Sequence, residues 1–168
     1  MEEKLEEFGK THPDVEIVIA RPAVVCGANI SNFISRYVSK SLVPLPKDLN
    51  VESQFIHEKD IARALYCLAT EASPGVYNLG PPNTIASAEL VEMMGGKAIY
   101  LSGGLLRAMT ALAWTLRIRS LTEAPSSMID FIEYSWVVDG SKVEQETSFR
   151  YQYTSTDAVR DFAEAQTA

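Results

Sequence analysis

The sequence predicts an α/β fold, and three observations carry that expectation. The stretch Glu16 to Gly27, EIVIARPAVVCG, opens with Ile17, Val18, Ile19 and Ala20 between Pro13-Asp14 and Arg21-Pro22, the pattern of a strand buried on both faces. Helical patterns flank it, Glu2 to Lys10 before and Ser31 to Ser41 after, a rhythm that favours parallel pairing. With 168 residues, 46% hydrophobic and 22% charged, the chain can bury one ordinary core, so a single globular domain is the default. Ligands of parallel sheets bind beyond the carboxyl ends of strands, which here means Arg21 to Gly27. On residue types alone, Pro22 and Gly27 merely end a strand and shape a turn.

The elements follow in order. Met1, Leu5 and Phe8 recur at helical spacing among Glu and Lys, and Pro13 separates that surface helix from the strand. Ser31 caps a helix whose Phe33, Ile34, Tyr37 and Val38 share a face, and Pro44 and Pro46 end the pattern. Val51 to His57 (VESQFIH) reads as a strand. Asp60 then caps a helix in which Ile61, Ala64, Leu65 and Leu68 give i, i+3, i+4, i+7. Ser73-Pro74-Gly75 stops it, Val76 to Leu79 is a strand, and Gly80 to Asn83 a loop. Ser87 to Met94 is helical up to Gly95-Gly96, and Ala98 to Leu101 is extended. Leu105 to Ile118 is apolar around most of its circumference and is expected to pack against the core rather than on a membrane surface. Ser126 to Tyr134 reads as a short helix and Trp136 to Asp139 as extended. Thr154 and Asp157 form a capping box for a last helix that turns Ala158, Val159, Phe162 and Ala163 inward.

Several functions are disfavoured by composition. Lys and Arg total 15 against 22 Asp and Glu, a net charge of −7, with no basic run beside aromatics, so nucleic acid is not an expected partner. Two cysteines, Cys26 and Cys67, build no disulfide framework, and a reducing, cytoplasmic setting fits them. The nine glycines stand at 9, 27, 75, 80, 95, 96, 103, 104 and 140, and none of their spacings gives a dinucleotide or triphosphate cradle. His12, His57 and the cysteines form no metal-ligand pattern, and a Cys26–His57 nucleophile pair is less expected than core roles for both. In IHEKD, Asp60 reads as a cap and His57 as bonding nearby backbone; the functional alternative sets both behind a ligand pocket. Arg21 reads equally as a charge-paired strand end or as a phosphate contact.

Four segments, IVIARPAVVCGAN, QFIHEKDIARAL, GVYNLGPPNTIASAELVEMM and WVVDGSKVEQETSFRYQYTSTDAVRDFAEA, taken together resemble the C-terminal half of the NAD-dependent epimerase/dehydratase family, the extended short-chain dehydrogenases/reductases. The resemblance implies the last strands of a Rossmann-like sheet with a small mixed α/β substrate-binding lobe, the nucleotide-binding half being absent. It implies NAD(P) for the parent family. For the isolated chain it implies no cofactor and no activity, because the Gly-rich loop and the Tyr-x-x-x-Lys pair are missing: none of the seven tyrosines has lysine four residues on. By position, Pro22 and Ala23 would lie beside the nicotinamide end of a cofactor. Val24, Asn29, Ser53, Phe55 and His57 would face a small-molecule substrate. Val24 stands where nucleotide-sugar epimerases often carry asparagine, and Ser53 where many carry arginine. The expected partners are a second copy of the chain or a complementary nucleotide-binding chain.

Overall fold

The computed structural model describes residues 2–31, 40–47, 51–118 and 129–167. The expected helix over 31–41 falls largely outside them, as does the start of the one expected over 126–134. The described residues group into two compact units, one of 1–30, 54–84 and 137–168, the other of 31–53 and 85–136.

In the first unit, helix α1 (Glu2–Thr11) precedes β1 (Val18–Pro22) and β2 (Val24–Cys26), which are one extended stretch interrupted at Ala23. β1 pairs in parallel with β6 (Gly75–Leu79), Val18 opposite Gly75 and Pro22 opposite Leu79. β2 pairs in parallel with β5 (Phe55–His57), Val24 opposite Phe55 and Cys26 opposite His57. The Gly75 N–H donates to Ile17 O and the Ala23 N–H to Leu79 O, so residues 17, 19, 21 and 23 turn their backbone groups toward β6. Pro22 therefore lacks its N–H on the side away from β6, where a strand tolerates it.

Helix α2 (Glu58–Glu71) follows β5, and α6 (Ser141–Glu146) and α7 (Ser155–Thr167) complete the unit. Its core joins Ile56, Ala64, Leu68, Tyr77, Leu79, Val143 and Phe149, with Val18, Ala20 and Val25 packed against them. Leu65, expected on the inner face of α2, stays 48% exposed. The cap of α2 also differs from expectation. His57 is the N-cap residue, its side chain accepting the Lys59 N–H, and Asp60 lies a turn inside. There the Asp60 carboxylate is fully buried and accepts the Gln152 and Tyr153 N–H groups at 3.0 and 3.1 Å as well as the Arg63 guanidinium. Asp60 thus ties the chain before α7 to α2 instead of starting a helix.

In the second unit, β3 (Leu42–Pro46) pairs in parallel with β8 (Lys97–Leu101), and β4 (Glu52–Ser53) antiparallel with β7 (Ile85–Ala86). Strand β3 takes the place where two prolines suggested only a stop. The Lys97 N–H donates to Ser41 O and the Lys47 N–H to Leu101 O, so the odd-numbered residues face β8, and Pro44 and Pro46 fall on the alternate positions. Helices α3 (Ser87–Met93), α4 (Gly103–Thr115) and α5 (Asp130–Glu133) belong to this unit. Val43, Leu45 and Val91 form its core with Ala98 against them. Helix α4 buries Leu106 and Ala113 while Leu105, Met109 and Leu112 stay about half exposed or more, so only one stripe of this apolar helix packs inward. No described helix is long and apolar enough to cross a membrane.

Candidate functional site

The site begins at Ala23, where the extended stretch changes partner. Before it the strand pairs with β6 and after it with β5, both in parallel, and ligands of parallel sheets bind beyond the carboxyl ends of their strands. Three loops follow those ends: residues 27–30 after β2, the turn into α2 after β5, and residues 80–84 after β6.

Much of this hydrogen-bonding capacity is spent internally. Gln54, 2% exposed, donates from Nε2 to Pro81 O at 2.6 Å and Val138 O at 3.1 Å, and its Oε1 accepts the Val138 N–H at 3.0 Å. The Gly80 N–H donates to Tyr151 Oη at 2.9 Å, and that hydroxyl donates to Gly140 O at 3.2 Å. Burial pushes the Tyr151 phenol up to about 12, which keeps it a donor at neutral pH. Ser155 Oγ accepts the Phe55 N–H and donates to Asn83 O, binding β5 to the loop after β6.

The residues predicted for the site are placed unequally. Pro22 is exposed and Ala23 half-buried at the end of β1, and Val24 is half-buried opposite Phe55. Phe55 is 3% exposed. His57 is 1% exposed, with Nδ1 accepting the Lys59 N–H at 3.1 Å and Nε2 lying 3.0 Å from Asp161 Oδ2. A backbone N–H can only donate, so Nδ1 is bare and the ring proton sits on Nε2 facing the carboxylate. Tyr153 stacks on the same ring with centroids 3.8 Å apart. Ser53 belongs to the second unit, where it is buried, pairs with Ile85 and bridges to Trp136. Asn29 is exposed, its backbone and side-chain N–H groups both donating to Glu58. Of Arg21's two readings, the charge pair is present: its Nε donates to Glu2 Oε1 at 2.8 Å.

Sequence reasoning missed Glu58, Asp161 and Tyr151. Glu58 had a local signal, being the residue after His57 at a strand-to-helix junction. Asp161 and Tyr151 reach the site from far along the chain, and nothing local marks them.

Burial pushes the Cys26 thiol up to about 11, so it is not a thiolate nucleophile at neutral pH. No group of three metal-ligating side chains occurs among the described residues. A dinucleotide's pyrophosphate needs backbone N–H groups and a helix N-terminus free of negative charge. The helix that opens at this site carries Glu58 and Asp60 in its first turn, so these residues do not fit one. Beside His57, Tyr153 and Asp161 line a shallow open groove of about 440 Å³ with Lys59, Asp157 and Arg160, its charges of both signs side by side.

Comparison with known proteins fits this layout. Residues 1–80 match the model of the NAD dependent epimerase/dehydratase family. The uncharacterized protein Rv0501 of Mycobacterium tuberculosis strain H37Rv is 24% identical over 155 residues, 92% of this chain and 40% of that protein. Among solved structures, the UDP-glucose 4-epimerase of Thermus thermophilus in complex with NAD is similar with a TM-score of 0.68 at 16% identity, over 99% of this chain and 51% of that one. The UDP-glucose 4-epimerase of Thermotoga maritima with UDP-glucose gives 0.67 at 12% identity, over 99% and 50%. The dTDP-glucose 4,6-dehydratase of Bacillus anthracis strain Ames in complex with NAD gives 0.65 at 15%, over 96% and 47%. The chain therefore spans 40% of the curated relative and about half of each solved chain, and it shares the Rossmann-like fold of the solved chains over that part.

Proposed function

We propose that this chain is the substrate-binding lobe of a nucleoside-diphosphate-sugar epimerase-like protein, and that hydride transfer needs a separate nucleotide-binding half. The observation that carries the reading is the change of strand partner at Ala23, which brings the ends of β1, β2, β5 and β6 into one series. The family match over residues 1–80 and the sugar-nucleotide enzymes of similar fold support it. Cofactor chemistry would enter at one edge only, where Pro22 and Ala23 would border a nicotinamide held by the other half. Asn29 would meet the substrate directly, while Phe55 and His57, both buried, would hold the floor beneath it. Val24 in place of asparagine gives the substrate one polar contact fewer than in nucleotide-sugar epimerases that carry it.

Titrating UDP-glucose into the isotopically labelled chain, followed by amide NMR shifts, tests the proposal. The expected result is saturable movement at residues 24–30 and 80–83 with a dissociation constant of about 1 mM or tighter. Movement confined to the α7 groove, or none, contradicts it.

A further inference from the structure

We infer that Glu58 is the positioning residue of the loop 27–30 and that it fixes Asn29 with its amide oxygen facing outward. This rests on the reading of that loop as part of a ligand site, and three features of the loop meet on this one side chain. Glu58 Oε2 accepts the Asn29 backbone N–H at 3.2 Å. Glu58 Oε1 accepts Asn29 Nδ2 at 2.7 Å. Gly27 has φ near 153°, and a Cβ added there would lie 2.7 Å from Glu58 Cγ and 2.9 Å from Cδ, so the loop approaches the glutamate stem as closely as only glycine permits. The Ile30 N–H donates to Gly27 O at 3.1 Å and closes the turn.

The orientation of the Asn29 amide follows from chemistry. An ionised carboxylate only accepts hydrogen bonds, so the amide must turn its nitrogen to Glu58 and its oxygen away. The group left free on this exposed residue is an acceptor. A ligand that reaches it must bring a donor, as the hydroxyls of a sugar do. A carboxylate or phosphate oxygen would meet both the Asn29 carbonyl and the nearby negative charge of Glu58, and is rejected. Glu58 therefore sets what the loop can recognise without touching the ligand. It also holds the loop's shape, since α2, which carries it, is anchored through Ala64 and Leu68 in the core.

The test compares the wild-type chain with Glu58→Gln and Glu58→Ala by amide hydrogen exchange at Asn29, with Val25 and Cys26 in β2 as internal controls. Losing a hydrogen bond to a charged group should speed Asn29 exchange by about tenfold in Glu58→Ala. Glu58→Gln keeps one acceptor oxygen and should fall between, and the β2 amides should not change. Equal Asn29 rates in all three proteins, or β2 amides that accelerate alongside Asn29, overturn the inference. UDP-glucose is then added as the probe. An Asn29 shift in the wild type that shrinks in Glu58→Ala supports the recognition role. A changed exchange rate with no UDP-glucose shift leaves Glu58 as the loop's positioning residue and overturns the ligand-site reading.

Discussion

At the scale of single residues, the site is held by side chains that spend their polarity on backbone. Gln54 binds Pro81 and Val138, Tyr151 binds Gly80 and Gly140, and Ser155 binds Phe55 and Asn83. These contacts demand close approach, and Gly140 shows how close. A Cβ added to Gly140 would lie 2.5 Å from Tyr151 Oη and 2.7 Å from Gly80 N, and would also strike Gly80 O, all of them groups with no freedom to retreat. Its φ of −95° is ordinary, so the constraint is space and not conformation. Gly140→Ala should therefore destabilise the fold by about 3 kcal/mol, read as a fall in the urea midpoint. Gly104, with nothing within 4 Å of its added Cβ, is the control, and Gly104→Ala in α4 should be neutral or stabilising by up to about 1 kcal/mol. Equal effects at the two positions would refute the packing of Gly140 against Gly80.

Elements repeat the lesson in their caps. Helix α7 begins with the reciprocal pair expected from its sequence. The Thr154 N–H donates to Asp157 Oδ2 at 3.0 Å and the Asp157 N–H to Thr154 Oγ1 at 3.1 Å. The Thr154 hydroxyl, followed by its backbone N–H and the Arg160 charge, holds the Asp157 carboxyl below its usual range. A carboxyl depressed in the folded state contributes stability that is complete above its unfolded value, about 3.9, and is lost as pH falls through the lower folded value. The start of α7 should loosen below about pH 4, seen as faster amide exchange at Asp157, and Thr154→Ala should cost about 1 kcal/mol and weaken that pH dependence. An α7 start indifferent to pH between 2 and 5 would argue against the box. This helix was legible because its signal is local, as is that of α2, whose 3.6 period stands in consecutive residues, and of β1, a short apolar run. Strand β1 is not buried on both faces as expected, however, but half-buried over Val18 to Ala20 and exposed at Arg21 and Pro22. Strand β3 was not legible, because Pro44 and Pro46 read as breakers until the register of β8 shows that neither owes it a hydrogen bond. The cap of α2 misled for a related reason. Asp60 is the commoner cap type, yet His57 takes that place, and the carboxylate serves Gln152 and Tyr153, about ninety residues on.

For the whole molecule, the order of strands, loops and helices gives a Rossmann-like fold that matches about half of each solved chain of similar fold. What this part holds is a set of strand ends with Asn29 presented by Glu58, a buried His57 and a buried, protonated Cys26. The first turn of α2 beside these strand ends carries the carboxylates of Glu58 and Asp60. The resemblance to the epimerase/dehydratase family was readable in the sequence because it lies in short motifs such as QFIHEKD. The bond of His57 to nearby backbone was also readable and is made with the Lys59 N–H, but its contact with Asp161 and the commitments of Gln54 and Tyr151 were not, since each depends on a partner distant in the chain. We propose that recognition resides here and cofactor binding elsewhere. Calorimetric titration of NAD⁺ and NADH into this chain tests this division directly: no saturable heat is expected for either up to about 1 mM, and one-site binding at micromolar concentration would contradict it.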